Sequence, residues 1–89
     1  MRAARTDKNQ TEIVQALRQV GASVQSLAKV GDGCPDLLVA YRDRHYVMEV
    51  KTAKGKVRPQ QISWCDEWVG TVHLVRSVDE ALKAIGASR

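Results

Sequence analysis

Apolar and polar positions change period several times along this chain of 89 residues, and each change marks an element. Ile13, Ala16, Leu17 and Val20 recur at i, i+3, i+4 and i+7, the stripe of an amphipathic helix. Asn9 or Thr11 is its expected cap and Gly21 its end. Residues 23–28 alternate weakly, as a short strand does. Residues 29–33 form a loop by virtue of Gly31 and Gly33, without the GK[ST] or GxGxxG that would make it a phosphate cradle. Pro35 suits the first position of the next strand. Two stretches with apolar runs of strand length, 33–41 and 44–51, then flank Arg42-Asp43, which is a hairpin pattern. Pro59 opens a second helix. Gln61, Trp64, Cys65 and Trp68 share one face, with Gly70 as terminator; the tryptophans are expected in the core, and Gln61 either joins them or points at whatever the hairpin holds. Residues 71–76 are a final strand. Ser77-Val78-Asp79-Glu80 reads as a capping box, and Val78, Ala81, Leu82 and Ile85 form the stripe of a last helix closed by Gly86. The order is α-β-β-β-α-β-α.

The hairpin carries the chemistry. With Arg42-Asp43 as a two-residue loop, position 41 faces 44, and the same count sets Asp36 opposite Glu49. Facing Cβ atoms on a sheet lie about 4.5–5.5 Å apart. Strand alternation puts Lys51 on the face of Glu49. Arg-Asp departs from the Asn-Gly and Asp-Gly preference of such loops; a four-residue loop keeps the register, whereas three or five residues shift it by one. Like charges directly opposite are destabilising, so two acids there gain the fold nothing unless a cation joins them. Oxygen ligands alone suit a hard ion, Mg²⁺ or Mn²⁺, better than zinc. The alternative is a solvated hairpin edge. Asp36 heads an apolar strand and Glu49 sits within Tyr-Val-Met-Glu-Val, which favours the metal site.

Length bounds the chain to one α/β domain spanning residues 1–89, with residues 1–8 expected as a flexible basic arm suited to phosphate. No apolar run approaches a membrane span and no leader pattern opens the chain, so a cytoplasmic location is expected. The net charge of +4 favours a polyanionic partner. Residues 44–58 concentrate it, with Arg44, Lys51, Lys54, Lys56 and Arg58 against Glu49 alone. Cys34 and Cys65 form no CxxC and read as reduced, packed thiols. His73 has no acid or second histidine at ligand spacing. Glu12, by itself, reads as an acid complementing the helix dipole.

Pro35-Asp36 followed by Glu49-Val50-Lys51 resembles the PD-(D/E)xK nuclease signature. With Gly33-Cys34 before it, Pro59-Gln60-Gln61-Ile62-Ser63-Trp64 after the basic loop, and Glu12 on the first helix, the chain from about 12 to 86 is similar to the VRR-NUC branch, the virus-type replication–repair nucleases, in its stand-alone phage or bacterial form. The resemblance implies a restriction-endonuclease-like core with a mixed sheet flanked by helices. It also implies that Asp36 and Glu49 hold the metal with the Val50 carbonyl, and that Lys51 is the catalytic lysine. Glu12 would support metal binding, and Gln61 would match the glutamine that follows the site. The loop 29–33, with its extra acid Asp32, departs from the family pattern.

The expected activity is metal-dependent hydrolysis of DNA phosphodiesters. An ion on Asp36 and Glu49 would polarise a phosphoryl oxygen and acidify water, and Lys51 would orient that water or stabilise charge in the transition state. Lys54, Lys56 and Arg58 would clamp phosphates in a salt-dependent, sequence-tolerant way. A homodimer acting on branched DNA such as a Holliday junction is implied by family analogy. Rival readings are a non-catalytic DNA-binding module of the same fold, a flap-directed or restriction-like nuclease, and an interaction domain using Trp64 and Trp68.

Overall fold

The computed structural model describes residues 8–87; of the basic arm expected at 1–8, residues 1–7 lie outside them, and Lys8 instead opens a helix. The elements are α1 (Lys8–Gln19), β1 (Ser23–Ser26), β2 (Leu37–Tyr41), β3 (Arg44–Val50), α2 (Pro59–Glu67), β4 (Val72–Val75) and α3 (Val78–Ala84). This is the expected α/β order. Helix α1 includes Lys8, so Asn9 and Thr11 lie within it and are not its caps. The strands are shorter at their ends than the sequence suggests: Pro35 and Asp36 precede β2.

The sheet is mixed, in the order β1-β2-β3-β4. The β1–β2 and β2–β3 pairs are antiparallel, and β3–β4 is parallel, as a crossover through α2 requires. Arg42 and Asp43 form the two-residue turn, with Tyr41 paired to Arg44. Both turn residues have positive φ, 50° and 65°, the backbone that matches hairpin twist. Asp tolerates this conformation better than Arg does. The Arg42 guanidinium lies 5.1 Å from the centroid of the Tyr41 ring, a contact that offsets part of the cost.

Alternation along the strands gives the two sheet faces different characters. Leu37, Val39, Met48, Val50 and Val75 are buried against Ile13 and Leu17 of α1 and Ala81 and Leu82 of α3. Ser77 caps α3, its hydroxyl accepting from the Glu80 N–H at 3.1 Å. The Glu80 carboxylate reaches one residue further back than a capping box does, to the Arg76 N–H at 2.7 Å.

The opposite face carries Asp36, Glu49 and Lys51 and is covered only in part, by α2. That helix has no buried residue. The expectation of a tryptophan core is therefore corrected: Trp68 is 46% exposed, Trp64 is half-buried, and the two rings stack with centroids 4.6 Å apart. Helices α1 and α3 already fill the core side of the sheet, and α2 packs on the other. No helix among the described residues is long and apolar enough to cross a membrane.

Candidate active site

Hairpin register assembles the site. Leu37 pairs with Met48, and one further step along the ladder sets Asp36 opposite Glu49. Asp36 is fixed from two directions: its Oδ2 accepts from the Val50 N–H at 2.7 Å, and its main-chain carbonyl accepts from Leu27 N–H at 2.8 Å. Glu49 falls on the α2 side because its neighbours Met48 and Val50 bracket it, and both are buried. Lys51 Nζ lies 3.2 Å from Glu49 Oε2. The same oxygen accepts from Gln61 Nε2 at 2.7 Å, while Gln61 Oε1 accepts from the Arg58 N–H at 2.9 Å. Gln61 can do both because it is the third residue of α2, which Pro59 opens, and the helix entrance leaves the Arg58 N–H without a partner inside the helix.

Loop 29–33 closes the other side. Gly31, Asp32 and Gly33 all have positive φ. A Cβ on Gly33 would collide with the carbonyl of Gln60, so glycine allows the loop to touch the entrance of α2.

Glu49 is only 4% exposed. Burial pushes its carboxyl up from 4.5 to about 7, the Asp36 charge adds to the rise, and Lys51 counteracts both. The thiol of Cys34 is raised by burial and then by Asp36 and Glu49; that of Cys65 is raised by burial and then by Glu49 and Asp66. Both cysteines are free and flank the acids. A carboxyl whose proton is held first by burial and then by a neighbouring carboxylate marks a local deficit of positive charge, which a hard cation would fill. The Val50 N–H points at Asp36, and in an extended strand the carbonyl of the same residue faces that side too. Two carboxylates and a main-chain oxygen, with water and phosphate oxygens in the remaining positions, fit Mg²⁺ or Mn²⁺.

Asp36, Glu49, Lys51 and Gln61 are thus brought together. Glu12 is exposed and lines a groove with Lys8, Asn9 and Thr52, the residue that follows Lys51. Among the described residues, no three His, Cys, Asp or Glu side chains gather as a metal-holding group. Lys54, Lys56 and Arg58 are exposed on the loop after Lys51.

Two further residues shape the site. Asn9 Nδ2 donates to the Lys51 carbonyl at 2.8 Å. Arg76 Nη1 donates to the carbonyls of Thr52 and Gly55 at 2.6 and 2.7 Å. No spacing in the sequence signals either bond, because every residue offers a carbonyl. On the other side of Glu49, a cavity of about 370 Å³ is lined by Val57, Ile62, Cys65, Val72 and Leu74. Compared with family models, curated proteins and solved structures, the chain matches none.

Proposed function

We propose that the chain is a divalent-metal-dependent DNA endonuclease of the VRR-NUC type, selective for branched DNA such as a four-way junction. The observation that carries this reading is the facing pair Asp36 and Glu49, with Lys51 and Gln61 both on one oxygen of Glu49. Structural stability does not explain such a pair, since burying like charges together costs free energy. Phosphodiester hydrolysis explains it, because the substrate is anionic and its attack needs charge neutralisation beside a positioned water.

A bound Mg²⁺ or Mn²⁺ supplies Lewis acidity toward the phosphoryl oxygen and a more acidic water. Asp36, Glu49 and the Val50 carbonyl are its ligands in this reading. Lys51 brings a compact cation with three donors to the same place, suited to orienting water and to countering charge that develops on phosphate. Gln61 holds Glu49 in one rotamer. Glu12 takes its supporting role on resemblance alone, and junction preference rests on the same analogy.

The reading includes a homodimer. Strand β4 ends the sheet with one edge unpaired, and Ile62, Trp68, Val69 and Leu74 are exposed beside it. Apolar residues gathered at a strand edge favour association. A second copy related by a two-fold axis would place two cutting sites on one branched substrate.

The test is cleavage of labelled four-way junction, flap, nicked and plain duplex DNA with Mg²⁺, Mn²⁺ or EDTA. The expected result is metal-dependent cutting, greatest on the junction and lost in Asp36→Ala and Lys51→Ala. Binding without cutting under either metal would leave a non-catalytic DNA-binding module as the better account.

A further inference from the structure

We infer that Arg76 is a positioning residue for this site, holding the basic loop 52–58 and the end of β3 in the geometry that presents Lys51, Lys54, Lys56 and Arg58 to DNA. The inference rests on the nuclease reading above.

A single nitrogen of its guanidinium, Nη1, bridges the carbonyls of Thr52 and Gly55 at 2.6 and 2.7 Å. Those carbonyls bound a tight turn, since the Gly55 N–H also donates to Thr52 O at 3.1 Å. The loop belongs to no helix or strand, so without such donors its main chain would turn to water and move. Arg76 is itself anchored by its backbone. Its N–H donates to Glu80 Oε1 at 2.7 Å, and its carbonyl accepts from Asn9 Nδ2 at 3.3 Å. The Asn9 amide also holds the Lys51 carbonyl, and the Lys51 N–H donates to Val75 O at 3.0 Å. Helix α1, the end of β3, the basic loop and the β4–α3 joint therefore meet around Arg76.

An arginine beside a DNA-binding loop would ordinarily be read as another phosphate contact. Here Nη1 is committed to carbonyls, which makes Arg76 the support and leaves the exposed Lys54, Lys56 and Arg58 as the contacts. A catalytic geometry is sensitive to small displacements; a misplacement of about 1 Å costs on the order of 100-fold in rate.

The test compares Arg76→Met, which removes the donors, with Arg76→Lys, whose ammonium can also donate to two carbonyls from one nitrogen. Three quantities are read: tryptic cleavage after Lys54 or Lys56, junction-DNA affinity in EDTA, and single-turnover cleavage with Mg²⁺. Arg76→Met is expected to speed loop proteolysis and to slow cleavage by about 10–100-fold, and Arg76→Lys to restore most of both. Combined with Lys54→Ala and Lys56→Ala, Arg76→Met should weaken DNA binding by less than the product of the separate effects, because it acts through the same loop. Unchanged loop proteolysis in Arg76→Met, or effects on affinity that simply multiply, would overturn the inference. If Arg76→Met unfolds, a folded Arg76→Lys that leaves the loop open to trypsin overturns it equally. Should the native chain bind DNA without cutting, the nuclease reading fails, while proteolysis and affinity still decide whether Arg76 positions the loop.

Discussion

Gln61 ties Glu49 to the entrance of α2: its Nε2 donates to Glu49 Oε2 at 2.7 Å while its Oε1 accepts from the Arg58 N–H at 2.9 Å. One amide thus sets both the rotamer of a buried acid and the end of the basic loop. Gln61→Ala should lower cleavage by about 10–100-fold, the usual effect of removing a group that orients a metal ligand. Single-turnover rates across a Mn²⁺ titration check this; an unchanged rate and metal midpoint would show that Glu49 keeps its place unaided.

The raised carboxyl of Glu49 predicts an acid-side maximum of stability. Its ordinary value is 4.5 and its value in the fold is about 7. Between these values the folded chain holds a proton that the unfolded chain has released. Stability contributed by this group is therefore complete below 4.5 and is lost as pH rises through 7. The change is at most a few kcal/mol, each pKa unit being worth about 1.4 kcal/mol. Urea unfolding in EDTA at pH 5 and pH 8 should show the loss, and Glu49→Gln should reduce it. Mg²⁺ should recover part of the stability at pH 8, since the ionised carboxylate is the form that binds metal.

Gly33→Ala should destabilise the chain by about 1–3 kcal/mol, the scale for a side chain forced into a left-handed backbone. The added carbon also meets the Gln60 carbonyl, so α2 must shift and Gln61 with it. Chemical denaturation gives the first effect. A cleavage loss larger than the unfolded fraction explains would give the second.

Lys54→Ala and Lys56→Ala should weaken binding to every DNA by a similar factor and leave the preference among branched forms unchanged. Each should reduce the slope of log affinity against log salt by about 0.9 if its ammonium neutralises one duplex phosphate. A slope that does not move would place the DNA elsewhere.

Val69→Asp tests the second copy. Val69 is fully exposed just before β4, so a charge there costs the monomer little and an apolar interface much. Sedimentation of the native chain should show a dimer and Val69→Asp a monomer with unchanged circular dichroism. A native monomer at micromolar concentration would remove the dimer from the proposal.

Much of the candidate site was legible because strand pairing is arithmetic. Once Arg42-Asp43 is the turn, Asp36 must face Glu49 and Lys51 must share its side, whatever the rest of the chain does. Helical stripes were equally plain, since Ile13 and Leu17 or Ala81 and Leu82 need only local period. Sequence leaves Gln61 between the core and the hairpin's acids, because a helix position does not say which strand it will reach.

Sequence by itself determined the element order, the hairpin register and the meeting of two acids with a lysine, all of which follow from neighbours along the chain and from a ladder with fixed spacing. Only the tertiary structure decided that α2 lies on the open face with Trp68 exposed and Trp64 half-buried, that Glu12 lines a groove with Thr52, and that Asn9 and Arg76 bind the main chain around Lys51. The physical reason is common to all three. A stripe records that residues share a face but not what covers it, and a main-chain carbonyl accepts a bond without asking for any particular residue.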